Sequence, residues 1–273
     1  MDTSLEIKER YAKEAAGYRK DAWLVNFDAE ELFKEFKNIV EKLYTDNMAE
    51  LNILDLGAGN GMLTELVMSL FPNARVTMLD FSPEMLESSE AYFEKLNISL
   101  DNVEFTVKNF VTDDFPNQKY DLVISSFALH HVRTANDLEN VYLKIVKSLK
   151  DNGSFINIDY YLEEDEESRK RQTELALENW TKNFSSRDIA EEWGDIIKGE
   201  DSPATIALII SLMNKCEGVV PFLYPNKGVM ATIYGMSKLG LDKLKELGLS
   251  QYVEETKKYL DKEKIIGRYT FDY

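Results

Sequence analysis

A single cysteine, Cys216, stands among the 273 residues. That excludes an intramolecular disulfide framework and suits a reducing compartment, so a cytoplasmic location is expected. Histidine is nearly as scarce. His130 and His131 are adjacent and have no cysteine beside them, so no metal site is expected. Long apolar runs are missing too: the longest, residues 206–210 with neighbours to Met213, is far too short to span a bilayer. The opening MDTSLEIKERYAKE is charged and lacks the apolar centre of a secretory signal. Positive charge is in deficit, with 32 Lys and Arg against 49 Asp and Glu and a net charge of −17. Such a chain repels polyanions, so neither nucleic acid nor an anionic membrane surface is an expected partner. Internal repeats, low-complexity tracts and long flexible linkers are also absent from the sequence.

What is present reads as an ordinary soluble domain, 44% apolar and 30% charged, long enough for one large α/β domain or a domain with a cap. Its organising stretch is ILDLGAGNG, residues 53–61. Ile53, Leu54, Asp55 and Leu56 form a short buried strand. Gly57, Ala58, Gly59, Asn60 and Gly61 form a glycine-rich turn. Residues 62–70 then place Leu63, Leu66, Val67 and Leu70 on one helical face. A strand turning through glycines into a helix exposes backbone amides to a ligand. A dinucleotide site calls for G-x-G-x-x-G, whereas these glycines run G-x-G-x-G with an acid two residues ahead. Asp55 beneath the loop would repel a pyrophosphate and suit a ligand carrying an ammonium group. S-adenosylmethionine (SAM) has an ammonium, a sulfonium and no phosphate. A tight turn with no ligand is the alternative.

Residues 1–50 are expected to be helical, with a weakly amphipathic segment at 5–16 and a longer helix opened by Asp28 and Glu31. Phe33, Phe36, Val40 and Leu43 form its inner face. After the glycine loop, residues 75–79 are a second strand closing on Asp80, with Ser82 as N-cap and Pro83 at the first helical position. An acid there, nineteen residues past Gly61, is where a ribose diol is gripped, and Phe81 can lie against an adenine face. A third strand at 103–107 ends near Asn109 and Phe110, whose amide and backbone N–H can read an adenine edge or simply form a polar loop. A fourth strand is expected at 120–126 and a helix at 137–149 with Leu138, Val141, Ile145 and Leu149 inward. Residues 151–153 read as a turn, and 154–158 as a fifth strand ending on Asp159. Strand–helix alternation of this kind calls for an open parallel sheet with its ligand over the strand C-termini. Beyond the acidic run 163–167, residues 162–198 look helical with Leu175, Leu177, Trp180, Phe184, Ile189, Trp193 and Ile196 as buried positions. Ser202 and Pro203 are expected to cap a helix running to about Lys215. Residues 218–224 and 229–234 read as a hairpin in which Pro221 argues for an edge strand. Helix returns at 238–260, and a further strand is conceivable at 265–271.

Four stretches, ILDLGAGNG (53–61), LDFSPEML (79–86), YDLVISSFALHHV (120–132) and LKDNGSFINID (149–159), resemble the class I SAM-dependent methyltransferases, in the small-molecule group that includes the ubiquinone- and menaquinone-type enzymes. The resemblance covers residues 50–160 well and the hairpin plausibly. It implies an α/β, Rossmann-like, seven-stranded and mostly parallel sheet with an antiparallel last strand, helices on both faces and a helical cap. Residues 1–237 would form the methyltransferase domain, with 1–50 as cap and 162–217 as helical insert, and 238–273 a C-terminal extension. It also implies SAM contacts, with S-adenosylhomocysteine as product: Asp55, Gly57, Ala58 and Gly59 at the methionine part, Asp80 on the ribose, Phe81 and Met85 beside the nucleoside. Asn109 and Phe110 would read adenine, and Ser125 would offer its backbone carbonyl to the ammonium. From the residues themselves, Tyr18 and Arg19, in an arginine-and-aromatic segment, either cover the pocket or pack a helix onto the sheet. The family usually has Asp where Asn109 stands.

Methyl transfer from a sulfonium needs alignment and exclusion of water, and needs a base only for a protonated nucleophile. His130, His131 and Asp159 are the candidates for that base, each with a structural alternative. Tyr11, Tyr18, Trp23, Tyr160, Tyr161 and Trp180 could line a pocket for a small, partly apolar or cationic acceptor. No Asn-Pro-Pro-Tyr-like segment of DNA amino-methyltransferases is present. A small-molecule methyltransferase, monomeric or homodimeric, is the expectation. A protein or tRNA methyltransferase and a non-catalytic SAM-binding module are the alternatives, and transfer of another group from a SAM derivative stays open.

Overall fold

The computed structural model describes residues 29–183, 203–224 and 231–260. The expectations placed on residues 1–28 (the 5–16 helix, Tyr11, Tyr18, Arg19, Trp23 and Asp28), on 184–202, on 225–230 and on 261–273 lie outside the described residues, as does the side chain of Trp180.

Helix α1 (Ala29–Leu43) leads into β1 (Asn52–Leu56), α2 (Met62–Leu70), β2 (Arg75–Asp80), α3 (Pro83–Lys95), β3 (Val103–Val107) and β4 (Tyr120–Ser126). A short 3-10 turn (Leu129–His131) precedes α4 (Ala135–Ser148) and β5 (Leu149–Tyr160). Then follow α5 (Glu166–Asn183), α6 (Ile206–Asn214), β6 (Val220–Leu223), β7 (Ala231–Ser237), α7 (Leu241–Glu246) and α8 (Ser250–Leu260). The strands form one seven-stranded sheet in the order β3-β2-β1-β4-β5-β7-β6. Strands β1 to β5 run parallel, and β7 is antiparallel to both β5 and β6. This is the Rossmann-like methyltransferase sheet, and Pro221 does sit in its edge strand.

Both faces are covered, which is why the central strands carry apolar side chains toward both sides. Ile53, Leu122, Ile124, Ile156 and Ile158 face one core with α1, α2, α3, α7 and α8. Leu54, Val123, Phe155 and Met236 face the other with α4 and α6. The period-two alternation of a strand thus feeds two cores rather than a core and solvent.

Several expectations about local structure are corrected. The turn at 151–153 lies inside β5 as a bulge: Tyr120 pairs with Leu149 and Leu122 with Ser154, so four residues oppose Asp121 alone. Asp121 holds it there by accepting from Lys150 Nζ at 2.6 Å and Asn52 N at 2.8 Å. Helix α4 starts at Ala135, because the Thr134 hydroxyl accepts from Asp137 N at 3.0 Å and so makes Asp137 the third helical residue. Thr205, rather than Ser202, caps α6, and Glu164 Oε1 adds a bond from Ala207 N at 2.7 Å. On α1 the buried face is Leu32, Phe36, Ile39, Val40 and Leu43, with Phe33 only half-buried. On α2, Thr64 is buried while Leu66 and Leu70 are half-buried, and on α5 Gln172 and Ala176 are buried while Leu175 and Leu177 are half-buried. The single helix expected at 238–260 is two, broken at Gly248, whose φ of +73° ends α7 in the left-handed conformation. Leu244, Leu249, Tyr252 and Val253 from this segment join the first core.

Candidate functional site

The glycine loop departs from expectation in the direction of its amides. Gly57 N and Ala58 N donate to Leu79 O at 2.8 and 3.0 Å, Gly59 N to Asp80 Oδ2 at 2.8 Å, and Gly61 N to Ala58 O at 2.9 Å. The cause is the parallel register that sets Leu56 beside Leu79, which brings the end of β2 under the loop. These four amides are spent inward, so the loop lacks the cradle of donors that a phosphate requires. Gly57 has φ of +69°, and a Cβ there would stand 2.5 Å from Ala128 Cβ and 3.4 Å from Phe110. Only glycine allows β1's loop to pass so close beneath the segments after β3 and β4.

Two buried acids flank the loop. Asp55 at the end of β1 accepts from Thr64 Oγ1 at 2.7 Å. Burial raises its pKa from 3.8 to about 7; the Thr64 hydrogen bond opposes the rise and the nearby Asp80 charge adds to it. Asp80 at the end of β2 accepts from Ser82 N on Oδ1 at 2.9 Å and from Gly59 N on Oδ2 at 2.8 Å. Burial pushes its pKa up too, against these backbone donors. Each Asp80 oxygen accepts one of these N–H groups and has capacity for a second donor, which suits a diol. Ser82 caps α3 through Met85 N at 3.3 Å; Phe81 is half-buried and Met85 is buried against Gly59. Two neighbouring buried acids beside a loop whose amides are spent are chemically suited to a cation bearing hydroxyls.

The loop after β3 forms the third wall. Asn109 Oδ1 accepts from Val111 N and Asn109 N donates to Asp113 Oδ2, both at 2.9 Å. The Asn109 carbonyl is therefore turned into its own loop, with Phe110 buried beside Gly57. Lys144 on α4 holds this loop in place: its Nζ donates to the carbonyls of Phe110, Val111 and Asp113 at 2.6, 2.8 and 2.9 Å. Sequence reasoning missed Lys144, and nothing local to α4 marks it.

The fourth wall follows β4. Ser125 is buried and its hydroxyl donates to Leu56 O at 2.7 Å, tying β4 to the strand that carries the glycines. Phe127 adopts φ of +50°, a left-handed conformation that costs a non-glycine residue about 1–2 kcal/mol. It turns the chain into the 3-10 segment, where His130 Nδ1 meets Asp159 Oδ1 at 2.5 Å. Asp159, wholly buried, also accepts from Leu129 N, His130 N, Asn157 Nδ2 and Tyr160 N. The structure thus brings His130 and Asp159 together, whereas His131 is half-exposed with its ring 4.1 Å from that of His130. Tyr160 packs on His130 at 5.0 Å, and Tyr160 and Tyr161 are buried. Among the described residues no group of three His, Cys, Asp or Glu side chains could hold a metal, and no helix is long and apolar enough to cross a membrane.

Residues 53–153 match the family model described as a methyltransferase domain. A malonyl-[acyl-carrier protein] O-methyltransferase of Acetivibrio thermocellus is 37% identical over 130 residues, 47% of this chain and 43% of the relative. A ubiquinone biosynthesis O-methyltransferase of Rickettsia akari is 27% identical over 121 residues, 43% of this chain and 45% of the relative. The chain therefore spans less than half the length of these curated relatives. Among solved structures, an O-methyltransferase family 2 protein of Planctomyces limnophilus shares the fold, with a TM-score of 0.58 at 15% identity over 85% of this chain and 61% of that one.

Proposed function

We infer, from the premise that this chain belongs to the class I SAM-dependent methyltransferase family, that it transfers a methyl group from SAM to an oxygen of a small-molecule acceptor. The observation that carries the reading is the loop at residues 57–61, with its amides turned inward and Asp55 and Asp80 buried beside it. When bound, SAM supplies an electrophilic methyl on a sulfonium that leaves as a neutral thioether. The residues fit it. Asp80 takes the ribose hydroxyls, Phe81 and Met85 flank the nucleoside, and Asn109 and Phe110 border the adenine. Asp55, with the backbone of Gly57, Ala58 and Gly59 and the Ser125 carbonyl, receives the ammonium end. Tyr18 and Arg19 remain proposed cover for the pocket.

Oxygen as the methylated atom is supported by the reactions named for the two curated relatives. An acceptor that arrives protonated needs a base, and His130 is the residue proposed for it, supported by its bond to Asp159. Donation from Nδ1 to Asp159 assigns the tautomer in which Nε2 is the basic nitrogen. The lone buried thiol Cys216 suits a cytoplasmic setting.

Calorimetric titration with SAM and S-adenosylhomocysteine tests the reading, on the wild type and on Asp80→Asn, which keeps the shape but loses the charge. Both ligands should bind the wild type, and the variant should bind about 10- to 100-fold more weakly. A folded wild type that binds neither ligand refutes it.

A further inference from the structure

We propose that Asn157 and Tyr234 are positioning residues for His130, acting through Asp159 to set how strongly the imidazole holds a proton. This deepens the reading of His130 as the base and rests on it.

Five donors meet the Asp159 carboxylate. Oδ1 accepts from His130 Nδ1 at 2.5 Å and from Tyr160 N at 2.9 Å. Oδ2 accepts from Leu129 N at 2.9 Å, His130 N at 3.2 Å and Asn157 Nδ2 at 3.2 Å. The Leu129, His130 and Tyr160 amides belong to the backbone and are fixed by the turn and by β5. Besides His130 itself, Asn157 is the one side chain in this set. It stands on β5 directly opposite Tyr234 on β7, where an antiparallel pair brings side chains into contact. An amide nitrogen carries two hydrogens. Asn157 Nδ2 gives one to Asp159 and the other to the Tyr234 hydroxyl oxygen at 2.7 Å. Turning the amide over would set its carbonyl against the carboxylate, so Asp159 and Tyr234 together fix which way it faces. Burial raises the Tyr234 phenol well above its ordinary value, and does the same to Tyr142 beside it on α4, so both remain neutral hydroxyls.

The arrangement has a cost. Asn157 is wholly buried, and its Oδ1 accepts no hydrogen bond. A leucine of nearly the same shape would leave no such orphan in the core. What accounts for the amide is its other end, which draws on the carboxylate that faces His130. Among the described residues, the titratable groups around this cluster are Asp159 and Tyr160 on β5, His131 on the turn, Tyr142 on α4, Tyr234 on β7 and Cys216 just past α6. Apart from the histidines none of these can carry positive charge, so the Asp159 carboxylate dominates what His130 feels. Its charge favours the imidazolium, and each further donor on the carboxylate draws that charge away. Removing the Asn157 N–H makes Asp159 a stronger acceptor for His130 Nδ1, and the ring then keeps its proton to higher pH. The native asparagine therefore holds more of His130 in the unprotonated form, the form that can take a proton from an acceptor.

The test is heteronuclear NMR of the whole chain with isotope-labelled histidine. Only His130 and His131 report, and His131→Gln assigns them. Titration in that background also removes coupling between the two adjacent rings. The wild type should carry the proton of its neutral ring on Nδ1. Asn157→Leu should raise the midpoint of the His130 titration by about half a pH unit to one unit, a gain of roughly three- to tenfold in proton affinity. Tyr234→Phe keeps the amide but removes the acceptor that orients it, so it should raise the affinity by less, about twofold, and add nothing in the Asn157→Leu background. Calorimetric affinity for S-adenosylhomocysteine should stay within about twofold in every variant. A merely structural role would move urea midpoints and leave the ring titration alone. An unmoved or lowered midpoint in either folded single variant, or an undiminished effect of Tyr234→Phe in the double variant, overturns the proposal. A wild-type ring proton on Nε2 overturns it together with the base role. Failure of the wild type to bind S-adenosylhomocysteine, with the His130 shifts as expected, would instead strike the methyltransferase reading beneath it.

Discussion

The raised pKa of Asp55 makes stability and cofactor binding depend on pH in a calculable way. In the fold Asp55 takes up its proton near pH 7, against an ordinary value of 3.8, chiefly because it is buried. A raised carboxylate pKa means that the folded state binds more protons than the unfolded chain between these values. Its contribution is thus fully present below pH 3.8 and is lost as pH rises through 7. The full penalty for ionising it in place is about 4 kcal/mol, of which about 2.5 kcal/mol falls between pH 5 and pH 8. Asp55→Asn keeps an oxygen for the Thr64 hydroxyl but cannot ionise. Urea unfolding at pH 5, 6, 7 and 8 should therefore show the wild type losing about 2.5 kcal/mol relative to Asp55→Asn across the range. Comparing the two proteins removes the general self-repulsion of a chain with net charge −17. A cationic ligand should favour the carboxylate form, so SAM binding at pH 7 should release roughly half a proton from wild type and none from Asp55→Asn. Calorimetry in buffers of different ionisation enthalpy reads that number. Parallel stability curves for the two proteins, together with no proton release, would refute the assignment.

Two other perturbations follow from the hydrogen bonding. Lys144→Met removes the ammonium that gathers three carbonyls of the loop after β3; it should cost about 2 kcal/mol by urea unfolding and about tenfold in S-adenosylhomocysteine affinity, with Lys144→Arg recovering much of both. Asp159→Asn leaves His130 Nδ1 and four other donors facing an amide. It should lower stability by about 2–4 kcal/mol, roughly 5–10 °C in Tm, and should reduce kcat sharply for an acceptor that must lose a proton.

The sheet was legible because its strands are buried on both faces. Residues 53–56, 75–80 and 120–126 are mostly buried and carry apolar side chains at their centres, and each stops at a glycine, an acid or a serine. Ser82 could be assigned as an N-cap from its place before Pro83 alone, and the structure gives it the expected bond from Met85 N. What was not legible depends on partners distant in sequence. The turn at 151–153 becomes a bulge through Asp121, some thirty residues away. Asn109 folds its carbonyl back on Val111 because Asp113 and Lys144 hold that loop. Lys144 is one among 32 basic residues, and no spacing rule separates it from solvated surface charges. Only its surroundings do, three backbone carbonyls gathered on one ammonium.

The same distinction bears on how a glycine loop reveals its ligand. Counting glycines predicts that the backbone bends tightly, and it does, with φ of +69°, +52° and +77° at Gly57, Gly59 and Gly61. Ligand charge is decided by where the amides point once the loop has bent. In a phosphate site they converge outward on the anion. Here Leu79 O and the Asp80 carboxylate take three of them, because β2 lies in register beside β1. The acid that consumes the Gly59 amide is the one proposed to grip a ribose, so one side chain both removes a donor that a phosphate would use and offers acceptors for hydroxyls. Asp80→Ala should therefore do more than delete a ribose contact. It frees the Gly59 N–H, and if direction sets ligand charge, inorganic phosphate should weaken S-adenosylhomocysteine binding to this variant more than to the wild type in a competition titration. Equal competition by phosphate in both proteins would show that amide direction is not what excludes anions from this loop.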